Sequence, residues 1–173
     1  MKDVSPPLFE CPRCGAKLVS RNLSHSCGDF SVERFLAGKG RRARELYRRF
    51  AALIDECGPH QLAPAKTRVA FMAQVRFASV NHVSDDRIDV HFVLPRALRS
   101  PRLRKVERVG NVYVHHLRLT KAADFDAELR GWLRRAYVDY GQRKWLRRRL
   151  HLPVDPRERT RQDVRHGIVR RVR

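Results

Sequence analysis

The chain has 173 residues, with 38 Lys+Arg against 18 Asp+Glu and a formal net charge of +20. Hydrophobic residues make up 42% of it, enough to build a packed core, so a wholly disordered basic protein is excluded. No apolar run reaches the length of a membrane-spanning helix, and the start Met1-Lys-Asp-Val-Ser-Pro-Pro7 has no signal-like apolar stretch, so a cytoplasmic protein with a polyanionic partner is expected.

Residues 1–30 hold three of the four cysteines. Cys11-Pro-Arg-Cys14-Gly presents two thiols across a short loop, and His25-Ser-Cys27-Gly follows ten residues later. Zn²⁺ takes four N/S ligands tetrahedrally, so Cys11, Cys14, His25 and Cys27 form the expected zinc set of an N-terminal zinc-finger or ribbon-like module. A three-ligand site is the alternative, because the His25–Cys27 spacing is tight. Disulfides do not suit a chain without a secretion signal. Metal would supply folding energy that so short a unit cannot draw from a core.

Residues 41–57 predict a helix, since Ala43, Leu46, Tyr47, Phe50, Leu53, Ile54 and Cys57 recur on one apolar face and Gly58-Pro59 stops it. Its other face carries Arg41, Arg42, Arg44, Arg48 and Arg49. Cys57 reads as a core residue rather than a metal ligand. Four strands follow: 67–72, 75–80, 88–94 and 112–119, with turns at Asp85-Asp86 and at Gly110-Asn111, the latter expected between the last two strands. A second helix is expected after Thr120 as N-cap, with Phe125, Leu129, Trp132, Leu133, Ala136, Tyr137 and Tyr140 on its apolar face. Asp124, Asp126 and Glu128 in its first turns suit the helix dipole. The fold class is therefore α+β: an antiparallel sheet with two helices on one face and the other face open, over residues 31–140.

Residues 141–173 form an Arg-rich C-terminal helix or tail. They carry twelve Lys+Arg against three Asp+Glu, a net +9, which leaves +11 on the first 140 residues. Arg143, Lys144, Trp145, Arg147, Arg148 and Arg149 mix cations with an aromatic ring, a combination that contacts both phosphates and bases.

Several stretches resemble a bacterial family known as domain of unknown function 5655. They include Arg44-Glu-Leu-Tyr47-Arg-Arg-Phe50 through Pro59, Pro64-Ala-Lys66-Thr-Arg68-Val-Ala-Phe71, His115-His-Leu-Arg118-Leu and Glu128-Leu-Arg-Gly-Trp132-Leu-Arg-Arg-Ala-Tyr137. The Cys-x-x-Cys-Gly leader is similar to one that precedes the domain in some members. The resemblance covers about residues 8–140, supports the domain boundaries and implies no particular chemistry.

No phosphate-binding glycine loop, nucleophile elbow or zinc-protease helix occurs, and the carboxylates are too dispersed for a two-metal nuclease. Alternation instead places Asp89, His91 and Val93 on one side of their strand and Val114, His116 and Arg118 on one side of theirs. Lys66, Arg68 and Arg76 join that side if Val69, Phe71, Val75 and Phe77 point inward. This basic, His-containing sheet face is an ordinary solvated surface, a phosphate-binding surface, or a catalytic one in which His91 and His116 are the candidate acid–base residues. The leading expectation is a zinc-containing protein that binds nucleic acid mainly through phosphates, RNA or the ribosome before DNA. An enzyme acting on nucleic acid or a phosphorylated substrate is the first alternative. A protein or acidic-membrane adaptor working through the C-terminal segment is the second, with membrane the disfavoured partner.

Overall fold

The computed structural model describes residues 9–13, 15, 17–18, 27–28 and 30–142. Two short strands, β1 (Phe9–Glu10) and β2 (Lys17–Leu18), pair antiparallel near the N-terminus. Next come a single turn of helix, α1 (Val32–Phe35), capped by Ser31, and the long α2 (Arg41–Asp55). The six strands β3 (Gln61–Ala65), β4 (Arg68–Met72), β5 (Arg76–Ser84), β6 (Arg87–Leu94), β7 (Leu103–Val109) and β8 (Val112–Leu119) build one sheet in the order β3-β4-β5-β6-β8-β7. Every pairing in it is antiparallel. A 3₁₀ turn (Ala122–Asp124), α3 (Ala127–Arg135) and a wider helical turn (Ala136–Gly141) end the described chain.

The core lies between the helices and one sheet face. Leu46, Phe50 and Ile54 of α2 and Leu129, Trp132 and Leu133 of α3 join Val69, Phe71, Phe77, Phe92 and Leu117 in one buried cluster. Both helices therefore cover the same face, as the apolar periodicity predicts. Edge-on rings lock the layers, Phe50 against Phe71 at 5.8 Å and Phe77 against Tyr137 at 5.3 Å. A bulge in β5 between Val80 and His82 absorbs one residue, so Val80 and Val83 both turn inward despite their odd spacing.

The structure corrects the expected elements in three places. Two strands, β3 and β7, lie outside the expected four, and both are sheet edges. Edge strands carry charges and proline in place of a buried alternation, here Pro64 in β3 and Arg104, Lys105, Glu107 and Arg108 in β7. Consequently Gly110-Asn111 turns from β7 into β8, not from β6 into β8, and Gly110 takes φ +59° there. Strand β8 enters between β6 and β7. The second helix starts later than Thr120: Asp126 is its N-cap and accepts from Leu129 N–H at 2.9 Å. Asp124 instead holds the preceding 3₁₀ turn, accepting from the backbone N–H groups of Thr120 and Lys121 at 2.7 and 3.1 Å. Gly141 is part of the folded body, because its carbonyl accepts from the N–H groups of Gln74 and Val75 at 2.9 and 3.1 Å.

Candidate functional site

The register sets the face turned away from the helices. Ser79 on β5 lies beside His91 on β6, His91 beside His116 on β8, and His116 beside Lys105 on β7. Two residues along β6, Asp89 lies beside Arg118. Period-two alternation carries the six expected sheet-face residues to different ends. Five of them, Arg68, Arg76, His91, His116 and Arg118, belong to this face. Lys66 sits in the exposed turn between β3 and β4, and no described contact joins it to the others.

His91 is the centre of a polar chain. Ser79 is wholly buried, and its hydroxyl donates to Asn81 Oδ1 at 2.6 Å. Asn81 Nδ2 then donates to His91 Nδ1 at 2.6 Å. An imidazole nitrogen that accepts carries no proton, so the His91 proton resides on Nε2. Ser79 Oγ lies 3.3 Å from both ring nitrogens, within hydrogen-bond distance of each. Burial first, and then the neighbouring charges of His116, Arg68 and Arg76, push the His91 pKa down to about 4, with Glu107 opposing. The ring is neutral near pH 7.

His116 is held differently. A carboxylate only accepts, so the 2.8 Å contact to Glu107 Oε2 makes His116 Nε2 the donor. Glu107 also pairs with Lys105, and these two partners, Lys105 first, hold its carboxyl below the usual range. The His116 side chain is 31% exposed, and its ring lies 5.7 Å from that of His91 between centroids.

The arginines divide into two kinds. Arg118 donates from Nε and Nη2 to the two oxygens of Asp89 at 2.7 and 3.1 Å, and its charge is neutralised there. Arg68 and Arg76 form no ion pair with any carboxylate among the described residues. Arg76 Nε is buried without a hydrogen-bond partner, and burial, then the charge of Arg68, lowers the Arg76 pKa, with Tyr140 opposing. The arginine face of α2 is more committed to the fold: Arg42 donates to Thr120 O at 3.1 Å, Arg44 to Lys39 O at 2.9 Å, and Arg49 pairs with Glu45 at 2.9 Å.

At the other end, Gly15 at φ +69° donates its N–H to Cys11 O at 2.8 Å and closes the Cys-Pro-Arg-Cys-Gly loop. Cys11 Sγ and Cys27 Sγ lie 3.5 Å apart. That is far beyond the ~2.05 Å of a disulfide and near the ~3.7 Å edge of a tetrahedron of thiolates around Zn²⁺. Cys14 and His25 lie outside the described residues, as do Arg143, Lys144, Trp145, Arg147, Arg148 and Arg149. No group of three metal-ligating side chains occurs among the described residues. Cys57 packs against the core, as expected: its thiol donates to Leu53 O at 3.2 Å, and burial raises its pKa to about 11.

Sequence reasoning missed Ser79, Asn81, Lys105 and Glu107. The first two adjoin a bulge, and the last two lie on the unrecognised edge strand. Among the described residues, no helix is long and apolar enough to cross a membrane. Residues 32–139 match the model of a family described as a domain of unknown function (DUF5655). No curated protein and no solved structure matches the chain.

Proposed function

The chain belongs to the DUF5655 family, and on that premise we propose that it is a zinc-containing nucleic-acid-binding protein, taking RNA before DNA and binding chiefly through phosphates. One observation supports this above the rest. Arg68 is close enough to depress the ionisation of Arg76, yet no described carboxylate neutralises either of them. Two guanidinium groups kept together without a counter-ion suit a phosphodiester oxygen as the missing partner. Arg118, neutralised by Asp89, contributes less. The Arg-rich segment from Arg143 onward extends the contact along the strand, and Trp145 stacks on a base.

In this reading Cys11, Cys14, His25 and Cys27 hold a structural Zn²⁺. The separation of the Cys11 and Cys27 sulfurs fits the donor set, and four protein ligands leave no open coordination position.

The test is the salt dependence of binding to a single-stranded RNA. Removing one phosphate interaction flattens the log K against log salt slope by about 0.7 on a single strand. Replacing Arg68 and Arg76 together by Ala is expected to flatten it by roughly 1.4. Removing residues 143–173, twelve cations against three carboxylates, flattens it further. A slope unchanged by both alterations refutes the proposal.

A further inference from the structure

We propose that the outer edge of β7 and the groove beside it receive an extended acidic segment of a partner protein, which joins the sheet as a further strand. Strands β6 and β8 separate this edge from the strands of Arg68 and Arg76, and the proposal stands independently of the nucleic-acid reading.

Strand β7 pairs with β8 on one side, and no described strand lies along the other. The exposed large apolar side chains of the described residues all lie on the two edge strands: Leu62 on β3, and Val106 and Val109, 38% and 57% exposed, on β7. Register puts Leu103 and Val106 beside Leu117 and His115, on the side of the sheet that the helices cover. The connection from β6 crosses β8 on that same side, where Leu98 N–H donates to His115 Nε2 at 2.9 Å. Between this connection and β7 runs an open groove of about 630 Å³, whose lining includes Leu98, Arg99, Pro101, Leu103 and Val106. That volume falls within the range of sites that take apolar groups. The groove is already shaped: Leu103 N–H donates to Ser100 O at 3.1 Å, and Arg102 ties the connection to Asp126 and Glu128. Little has to be ordered when it is filled.

Charge selects the occupant. Residues 95–109 carry six Lys+Arg against one Glu, a net +5. No described carboxylate pairs with Arg96, Arg99, Arg104 or Arg108, and Glu107 is already taken by Lys105 and His116. Cations on an edge strand deter pairing with a like-charged one, which disfavours both a second copy's β7 and the chain's own residues 143–173. An acidic strand meets the same cations as counter-ions. Its backbone extends the ladder, and its side chains point alternately to the two sheet faces. Apolar ones enter the groove beside Val106, and acidic ones face the side of Lys105 and its neighbour Arg104 at the bulge. Nucleic acid suits this surface less, since phosphates fill no apolar groove and no aromatic ring lines it for a base to stack on.

The experiment titrates the full chain with a dye-labelled peptide of about eight residues in which Glu alternates with Val, at ~0.15 M salt. The same peptide N-methylated at every amide, a Lys–Val peptide and a single-stranded RNA are the comparison probes. The Glu–Val peptide is expected to bind and to slow hydrogen exchange of the β7 amides. N-methylation is expected to weaken binding by about tenfold or more, by removing the donors of the ladder. Arg99→Glu with Arg104→Glu is expected to weaken it by about tenfold, and Val106→Ser by about fivefold. All three residues are exposed, and urea midpoints confirm that the variants fold. Failure of the Glu–Val peptide to bind overturns the proposal, as does equal binding of the N-methylated or the Lys–Val peptide. Binding that Arg68→Ala with Arg76→Ala abolishes, and that the β7 variants leave unchanged, assigns the peptide to the other surface and overturns it too. If the RNA protects the β7 amides and the peptide does not, the edge belongs to nucleic acid and the proposal falls.

Discussion

At His91, burial and electrostatics act in the same direction. The imidazole is largely withdrawn from water and feels two guanidinium charges, and the fold therefore binds it without its second proton. Its folded pKa of about 4 lies below the ordinary value of 6.5, so the unfolded chain takes up the proton first as pH falls. The resulting stabilisation is fully present above pH 6.5 and is lost between 6.5 and about 4. A shift of this size corresponds to something on the order of 3 kcal/mol. His115 acts in the same direction: it is wholly buried, stacked on Phe92 at 5.0 Å, and its Nε2 accepts from Leu98 N–H at 2.9 Å. Desolvation lowers its pKa as well. Urea unfolding measured across this range should show the midpoint falling toward acid, and His91→Gln should flatten that dependence. His91 is legible as a sheet-face histidine from period-two alternation alone. Its neutrality is not, because that depends on Arg68 and Arg76, which arrive on other strands.

Between elements, side chains from the connecting segments do much of the fastening. Arg102, in the connection between β6 and β7, reaches the start of α3 and donates to Asp126 and Glu128 at 2.8 Å each and to the Asp124 carbonyl at 2.8 Å. Its guanidinium also lies 5.4 Å from the centre of the Trp132 ring. A planar fork that serves several acceptors and stacks on an indole has no equivalent in an ammonium group. Arg102→Lys should therefore lower the unfolding free energy by roughly 1–2 kcal/mol in denaturant titration. At the end of α2, Gly58 adopts φ +134°, and a Cβ there would lie 2.7 Å from Tyr137 Oη, which donates to Pro59 O at 3.0 Å. Gly58-Pro59 is readable in the sequence as a stop, but nothing there signals that Tyr137 closes over it. By composition alone, the carboxylates of residues 124–128 suit a helix dipole. In the fold each has a definite partner: Asp124 holds the 3₁₀ turn, while Asp126 and Glu128 receive Arg102 from across the molecule.

For the molecule as a whole, the +20 charge divides between a folded body and a basic extension. The +11 on the first 140 residues is further reduced in effect, since arginines of α2, Arg102 and Arg118 are engaged with acceptors of the body itself. Arg68 and Arg76 are among the sheet cations that no described carboxylate pairs. The N-terminal module makes a separate prediction. If zinc holds it, elemental analysis should find about one Zn²⁺ per chain, and a strong chelator should unfold this module. The sheet and helices should keep their cooperative unfolding, because their core cluster is built from residues 43–137 and, among the described residues, includes none of the cysteine loop. Absence of zinc, or loss of the whole fold on chelation, would count against the module as described.

Periodicity along the chain was enough to determine the α+β class, the buried faces of both helices and the inward and outward sides of the strands at 88–94 and 112–119. Those features arise where a 3.6- or two-residue repeat meets a single apolar layer, and a repeat is a property of the chain itself. The tertiary structure decided what periodicity does not encode: the two charged edge strands, the insertion of β8 between β6 and β7, and the pairing of each cation. Edge strands lack a buried side to imprint on the sequence, and a charge is neutralised or left available only according to what the folded chain places beside it. Five of the six expected sheet-face residues were thus readable from the sequence. That Arg118 is neutralised while Arg68 and Arg76 are not is a consequence of where Asp89 and Glu107 come to lie.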